Sequence, residues 1–224
     1  MCHEMSGYMK KAHIALCLAA LSLFCLASCG GTGGDGGSAQ NAVAEVNGET
    51  VTQAELSYFE GRMRAEVYAE GISDGADDES AFASVLRERA LNECIRAKII
   101  LVLCRDNGVY ADISYEGLRA LAVSYNEAHS GDGGAVGLNT IQMSQFYSYY
   151  IDCGELELQS RLADKQLSPT EEELLSAEAE IAGTLSGEEL AAAAKKRAVA
   201  KNFDEYIASL INGADIKTDG GFTE

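Results

Sequence analysis

VAEVNGETVTQAEL, residues 43–56, decides how this chain is to be read. Asn47-Gly48 sits between two short β-prone runs, and both residues tolerate the positive φ that a tight hairpin turn requires. Thr52 and Glu55 then stand three apart, the spacing of a capping box that starts a helix. The stretch predicts a hairpin over 43–52 leading directly into a helix that runs to about Ala69, with Leu56, Phe59, Met63 and Val67 on one stripe.

Downstream, Phe82 to Asn107 is the longest helical signal. Its second half, Ala97-Lys98-Ile99-Ile100-Leu101-Val102-Leu103-Cys104, is apolar nearly all round, which predicts a central helix enclosed by the others. Asn107-Gly108 with Val109 behind it is a helix-ending signature, and Ser114 is placed to cap the next helix, to about His129. After SGDGG (130–134) a further helix from about Thr140 carries Met143, Tyr147, Tyr150, Ile151, Leu158 and Leu162 on one face. Ser168-Pro169-Thr170-Glu171 predicts another capping box, and Ser186 with Glu189 a third. The last helix passes through Ala193, Ala200, Phe203, Ile207 and Leu210 and stops at Asn212-Gly213, before a short strand over Ala214–Lys217. The expected fold is mostly α, with a small hairpin and one short C-terminal strand.

Upstream, Lys10 and Lys11 precede an apolar run from Ala12 to Leu26 that is short for a membrane span and suits the core of an export signal. Met9 begins a more economical signal than Met1. The run ends in Leu26-Ala27-Ser28-Cys29, which resembles the bacterial lipobox. That resemblance implies cleavage between Ser28 and Cys29 and a lipid on the Cys29 sulfur, so that Cys29 anchors the protein to the membrane. Gly30–Ser38 (GGTGGDGGS) is a flexible tether. The expected organisation is a signal peptide over 1–28, lipidated cysteine and tether over 29–41, a helical domain over 42–217 and a tail over 218–224.

The chain has 35 Asp/Glu and 17 Lys/Arg, a net charge of −18, and only Glu4, Lys10 and Lys11 precede Cys29. So acidic a protein is repelled by nucleic acid and anionic headgroups, which excludes nucleic-acid partners. Of seven cysteines, Cys29, Cys94, Cys104 and Cys153 follow the signal. Cys94 and Cys104 fall about 15 Å apart on one helix, too far to bridge, and are expected as buried thiols.

Chemistry is sparse. His129 is the sole histidine after the signal; a nucleophilic site would need it, with Cys153 the most plausible thiol. His129 adjoins a glycine loop and no nucleophile-elbow pattern surrounds any serine, so a surface histidine is expected. The acidic stretch Ser73–Glu79 lacks calcium-loop spacing, and no Cys/His cluster has zinc spacing. Catalytic, metal and cofactor residues are expected to be none. Tyr147 and Tyr150 are the most suggestive side chains: either ordinary core, or the floor of a crevice in contact with unfolded clients.

The order of these pieces resembles the SurA/PrsA-type foldases, exported chaperones and peptidyl-prolyl isomerases. The likeness lies in Val43–Leu56, in Ala90-Leu91-Asn92-Glu93-Cys94-Ile95-Arg96-Ala97-Lys98-Ile99-Ile100, in Asp106-Asn107-Gly108-Val109, in Leu167–Glu173 and in the last helix with its Ala214-Asp215-Ile216 tail. It implies a chaperone-type helical domain with N- and C-terminal pieces folded together, and unfolded or newly exported proteins as partners. In that family a parvulin isomerase domain usually precedes the last helix; Leu174–Leu185 is far too short to hold one. The resemblance therefore implies a membrane-anchored chaperone or holdase without isomerase activity. A non-catalytic scaffold lipoprotein is the alternative, and a residual isomerase the second.

Overall fold

The computed structural model describes residues 42–70, 79–129, 141–183 and 185–218. The export signal, Cys29 and the tether, the acidic loop up to Asp78, the SGDGG break and Thr140 lie outside the described residues. Six helices and three short strands are present among those described: β1 (Ala42–Val46), β2 (Glu49–Thr52), α1 (Gln53–Ala69), α2 (Glu79–Asp106), α3 (Tyr115–His129), α4 (Met143–Leu162), α5 (Glu171–Ile181), α6 (Gly187–Asn212) and β3 (Ile216–Thr218). The mostly helical fold with its hairpin and C-terminal strand is as expected.

Asn47 and Gly48 both take positive φ, 52° and 85°, the geometry of a two-residue hairpin turn. β1 and β2 pair antiparallel, with a register irregularity between Ala42 and Ala44. That break in alternation turns the neighbouring Val43 and Ala44 both inward, where strict two-residue periodicity would bury only one. β3 pairs antiparallel with the other side of β1, giving the order β2-β1-β3. The two ends of the described chain therefore meet in one sheet, and Thr218, expected in the tail, closes β3.

α2 is the centre of the molecule. Ala90, Leu91, Cys94, Ile95, Ala97, Ile99, Ile100, Leu101 and Cys104 are all buried along it. It starts at Glu79 rather than near Phe82. It ends in a Schellman cap: Val109 N–H donates to the Cys104 carbonyl at 2.7 Å and Gly108 N–H to that of Arg105 at 2.9 Å. Gly108 supplies the positive φ of 65° which that cap needs. The main core joins β1 and β2 to α1, α2, α3, α4 and the C-terminal part of α6. Two small clusters lie apart from it: Met63, Val67, Phe82 and Leu86 between α1 and α2, and Ala177, Ala194 and Ala198 between α5 and α6.

Two expected capping boxes differ. α5 is capped by Thr170, whose side chain accepts from Glu173 N–H while Glu173 accepts from the Thr170 backbone. Ser168 instead closes a turn onto the Lys165 carbonyl. Both serine and threonine stand three residues before a glutamate, and although Pro169 favours an extended Ser168 before it, it is Thr170 that makes the reciprocal pair of bonds with Glu173. Ser186 does cap α6 by position, but its side chain makes no capping bond. Gly187, the first helical residue, has a φ of +60°. Ser114 acts as expected, accepting from Gly117 N–H at 3.0 Å.

Candidate functional site

The helix start at Thr52–Glu55 does more than cap. The Thr52 hydroxyl accepts from Glu55 N–H at 3.2 Å, and Glu55 Oε2 accepts from Thr52 N–H at 2.8 Å and from the Thr52 hydroxyl at 3.0 Å. Its other oxygen, Oε1, accepts from Lys98 Nζ and from the Tyr147 hydroxyl, both at 2.8 Å. Glu55 is 1 % exposed and Lys98 2 %. One carboxylate thus joins the β2–α1 junction to α2 and α4.

The surroundings explain why all partners are needed. Tyr58, Phe59 and Tyr115 set their ring centroids 5.3, 6.2 and 6.2 Å from that of Tyr147. A charge enclosed by such rings is costly unless each lone pair and proton is matched. Burial, and then the negative charge of Glu55, hold the Tyr147 phenol well above its usual ionisation range. The same two causes push the Cys94 thiol upward. A carboxylate engaged by four donors and sealed from water has the attributes of a fixed joint.

Tyr147 and Tyr150 are not surface side chains. They are 2 % and 0 % exposed, which corrects the reading of both as a client-contacting crevice floor and supports the packing alternative. α4 turns one face, from Phe146 to Leu162, wholly into the core. Tyr150 stacks on Tyr110 at 3.8 Å and donates to the Asp112 carbonyl at 3.3 Å, while Tyr110 donates to the Tyr150 carbonyl at 2.8 Å. Their polar tips are satisfied internally, so the rings have no need to reach solvent.

The large apolar side chains that do face outward among the described residues are Tyr68, Val123, Leu156, Leu175, Leu185 and Ile216. They come from α1, α3, α4, α5, the α5–α6 turn and β3. Tyr68 lies against Phe82, ring centroids 4.7 Å apart, at the small α1–α2 cluster. A groove of about 680 Å³ runs between α5 and α6, with Ala177, Ala198 and Ala200 among its lining and Glu172, Glu180, Arg197 and Lys201 along it. Arg197 is held by Glu180 at 2.5 Å.

The other sequence candidates do not assemble into a site. Cys94, Cys104 and Cys153 are buried. Cys153 lies on α4; His129 ends α3, and its side chain lies outside the described residues. No group of three or more metal-ligating side chains occurs among the described residues. Sequence reasoning missed Lys98. A single cation inside the otherwise apolar stretch Ala97–Cys104 was the available signal, because a buried charge requires a buried partner of opposite sign.

Only residues 182–186 separate α5 from α6, so the position at which foldases of this type carry an isomerase domain is a turn. No helix among the described residues is long and apolar enough to cross a membrane. A family model described as the SurA-like N-terminal domain matches residues 1–115, just over half of the 224-residue chain. The matched part takes in the hairpin, α1, α2 and the Glu55–Lys98 pair; Tyr147 and the two last helices lie beyond it. Neither the curated proteins nor the solved structures give a match.

Proposed function

Because the chain belongs to the SurA-like N-terminal domain family, we propose that it is a membrane-tethered extracytoplasmic chaperone, a holdase-like lipoprotein that assists newly exported proteins and has no isomerase activity. The family match carries this reading. The Leu26–Cys29 lipobox and the glycine tether support the anchor, since a diacylated cysteine holds a protein stably on a bilayer. The short α5–α6 turn supports the lack of isomerase activity.

The test is whether the purified protein slows aggregation of unfolded clients at stoichiometric excess. It is expected to do so for several unrelated clients, while prolyl isomerisation stays at the background rate. Failure with every client would sink the holdase reading. For the anchor, Cys29→Ala is expected to release the protein into the soluble fraction, and retention in the membrane would show that Cys29 is not what holds it.

The burial of Tyr147 and Tyr150 favours a second reading, a scaffold lipoprotein that recruits one folded partner. With Tyr147 and Tyr150 inside, the large exposed apolar groups among the described residues are single residues from six separate places, a pattern ordinary for a folded surface. A pull-down returning one partner at fixed stoichiometry would support the scaffold; many unrelated clients would support the chaperone.

A further inference from the structure

β3 is the outer strand of its sheet, and Asp215, Ile216 and Lys217 are exposed. Asn47 N–H donates to the Asp215 carbonyl at 2.8 Å, Val46 stands opposite Ile216 and Glu45 opposite Lys217. Bonded and non-bonded pairs alternate along an antiparallel ladder. Asp215 and Lys217 therefore direct their backbone groups at β1, and Ile216 directs its N–H and C=O away from it, at the edge that no strand among the described residues pairs with.

We propose that this edge pairs with the same edge of a second copy of the chain, antiparallel, about a two-fold axis at Ile216. With Ile216 facing Ile216 of the partner subunit, Asp215 faces the partner's Lys217 and Lys217 faces the partner's Asp215. Registers displaced by one residue are excluded, because they would match outward with inward backbone groups. Displacement by two in either direction sets Asp215 against the partner's Asp215 or Lys217 against the partner's Lys217, and like charges directly opposite destabilise a ladder. One register alone matches both the hydrogen bonds and the charges.

A short strand bearing a lysine is also a usual way to blunt an edge. Here that lysine is already neutralised by Glu45 at 2.6 Å and Asp215 at 3.3 Å, and its neighbour Ile216 is left facing solvent. Three residues bury far less than the roughly 1,600 Å² of a standard interface. The dimer is consequently weak and forms at high local concentration.

Disulfide trapping tests this in the purified full chain. Opposed residues of a bonded pair have Cα atoms about 5.5 Å apart, within disulfide reach, and Cys94, Cys104 and Cys153 are buried. Ile216→Cys is expected to cross-link under mild oxidation much faster than Tyr68→Cys, a comparably exposed control. Adding Asp215→Lys should slow the trapping, and adding Asp215→Lys with Lys217→Asp should restore it. Equal rates at positions 216 and 68, or no response to the charge reversals, would overturn the proposal. So would an extended apolar peptide that blocks Ile216→Cys labelling while the protein stays monomeric at all concentrations, since the edge would then belong to clients.

Discussion

Glu55 and Lys98 form an ion pair of 2.8 Å inside the protein, their side chains 1 % and 3 % exposed. Such a pair adds little over a well-packed apolar substitute, yet breaking it is costly because one buried charge is left alone. Lys98→Met should therefore lower unfolding free energy by about 3–5 kcal/mol, although Thr52 and Tyr147 still hold the carboxylate. Glu55→Gln should cost a similar amount by stranding Lys98. The double variant should be more stable than the sum of the two losses allows, as denaturant unfolding of all four proteins would reveal. Strict additivity would mean that the pair is not a coupled unit.

Gly154 illustrates a different constraint. A Cβ there would lie 2.8 Å from Cys104 Sγ and 2.9 Å from Tyr110 Cε2. Tyr110 cannot withdraw, because it stacks on Tyr150 and donates to its carbonyl. Gly154→Ala should destabilise by about 1–3 kcal/mol through overpacking, and Cys104→Ala in the same chain should return part of the loss. Gly61 is the contrast: an added Cβ meets nothing within 4 Å on exposed α1, so Gly61→Ala should stabilise by about 0.5–1 kcal/mol. Thermal midpoints moving in opposite directions would confirm both arguments; a tolerated Gly154→Ala would refute the first.

The contrast between these residues shows where sequence was informative. Asn47-Gly48, Thr52 with Glu55, and Asn107-Gly108 are local signals, each fixed by backbone geometry within a few residues, and each forms where its spacing put it. The resemblance of Val43–Leu56 to a SurA-type opening likewise holds. The inward side of α4 was legible as a stripe, but whether Tyr147 lined a crevice or a core depended on α1 and α3 closing over it, which no local pattern records. Glu55 looked complete as a capping residue, so nothing in its neighbourhood called for Lys98, 43 positions away. The cap of α5 lies at Thr170 and not at Ser168, a competition between two equally good spacings that the local sequence does not decide, since Pro169 by itself favours Ser168. Cys29 and the tether remain legible in sequence alone.

Alkaline pH should weaken the fold for a reason internal to the core. Burial pushes the Cys104 thiol up to about 12 and raises Cys94 further; it also raises the Tyr147 and Tyr150 phenols. The unfolded chain ionises these groups at ordinary values while the folded chain keeps them protonated. Between those limits the native state binds more protons, so stability falls as pH rises. The loss should begin near pH 9, the ordinary thiol value, and continue towards 12. Urea midpoints taken from pH 8 to 11 should decline, and Cys104→Ala should make the decline shallower. A flat profile would show that these groups ionise equally in both states.

Asn47 supplies the last case, because it serves two structures at once. Its φ of 52° makes the hairpin turn, and its Oδ1 accepts from Asp215 N–H at 2.9 Å, fastening the segment that leads into β3. Asn47→Gly keeps the turn and loses only the latch, a neutral hydrogen bond with a net value of about 0.5–1.5 kcal/mol. Asn47→Ala loses the latch and keeps a Cβ at a left-handed φ without the polar side chain that lets asparagine tolerate it, which adds roughly 1–2 kcal/mol. Asn47→Asp retains both an acceptor and tolerance of positive φ, and should stay nearest the parent. The expected order of stability is Asn, Asp, Gly, Ala, read by chemical denaturation. Amide exchange at Lys217 should quicken in the Gly and Ala variants, because the latch is what brings the C-terminal strand onto β1. If Gly and Ala were equally destabilised, the turn geometry would carry no cost and the latch alone would account for the residue.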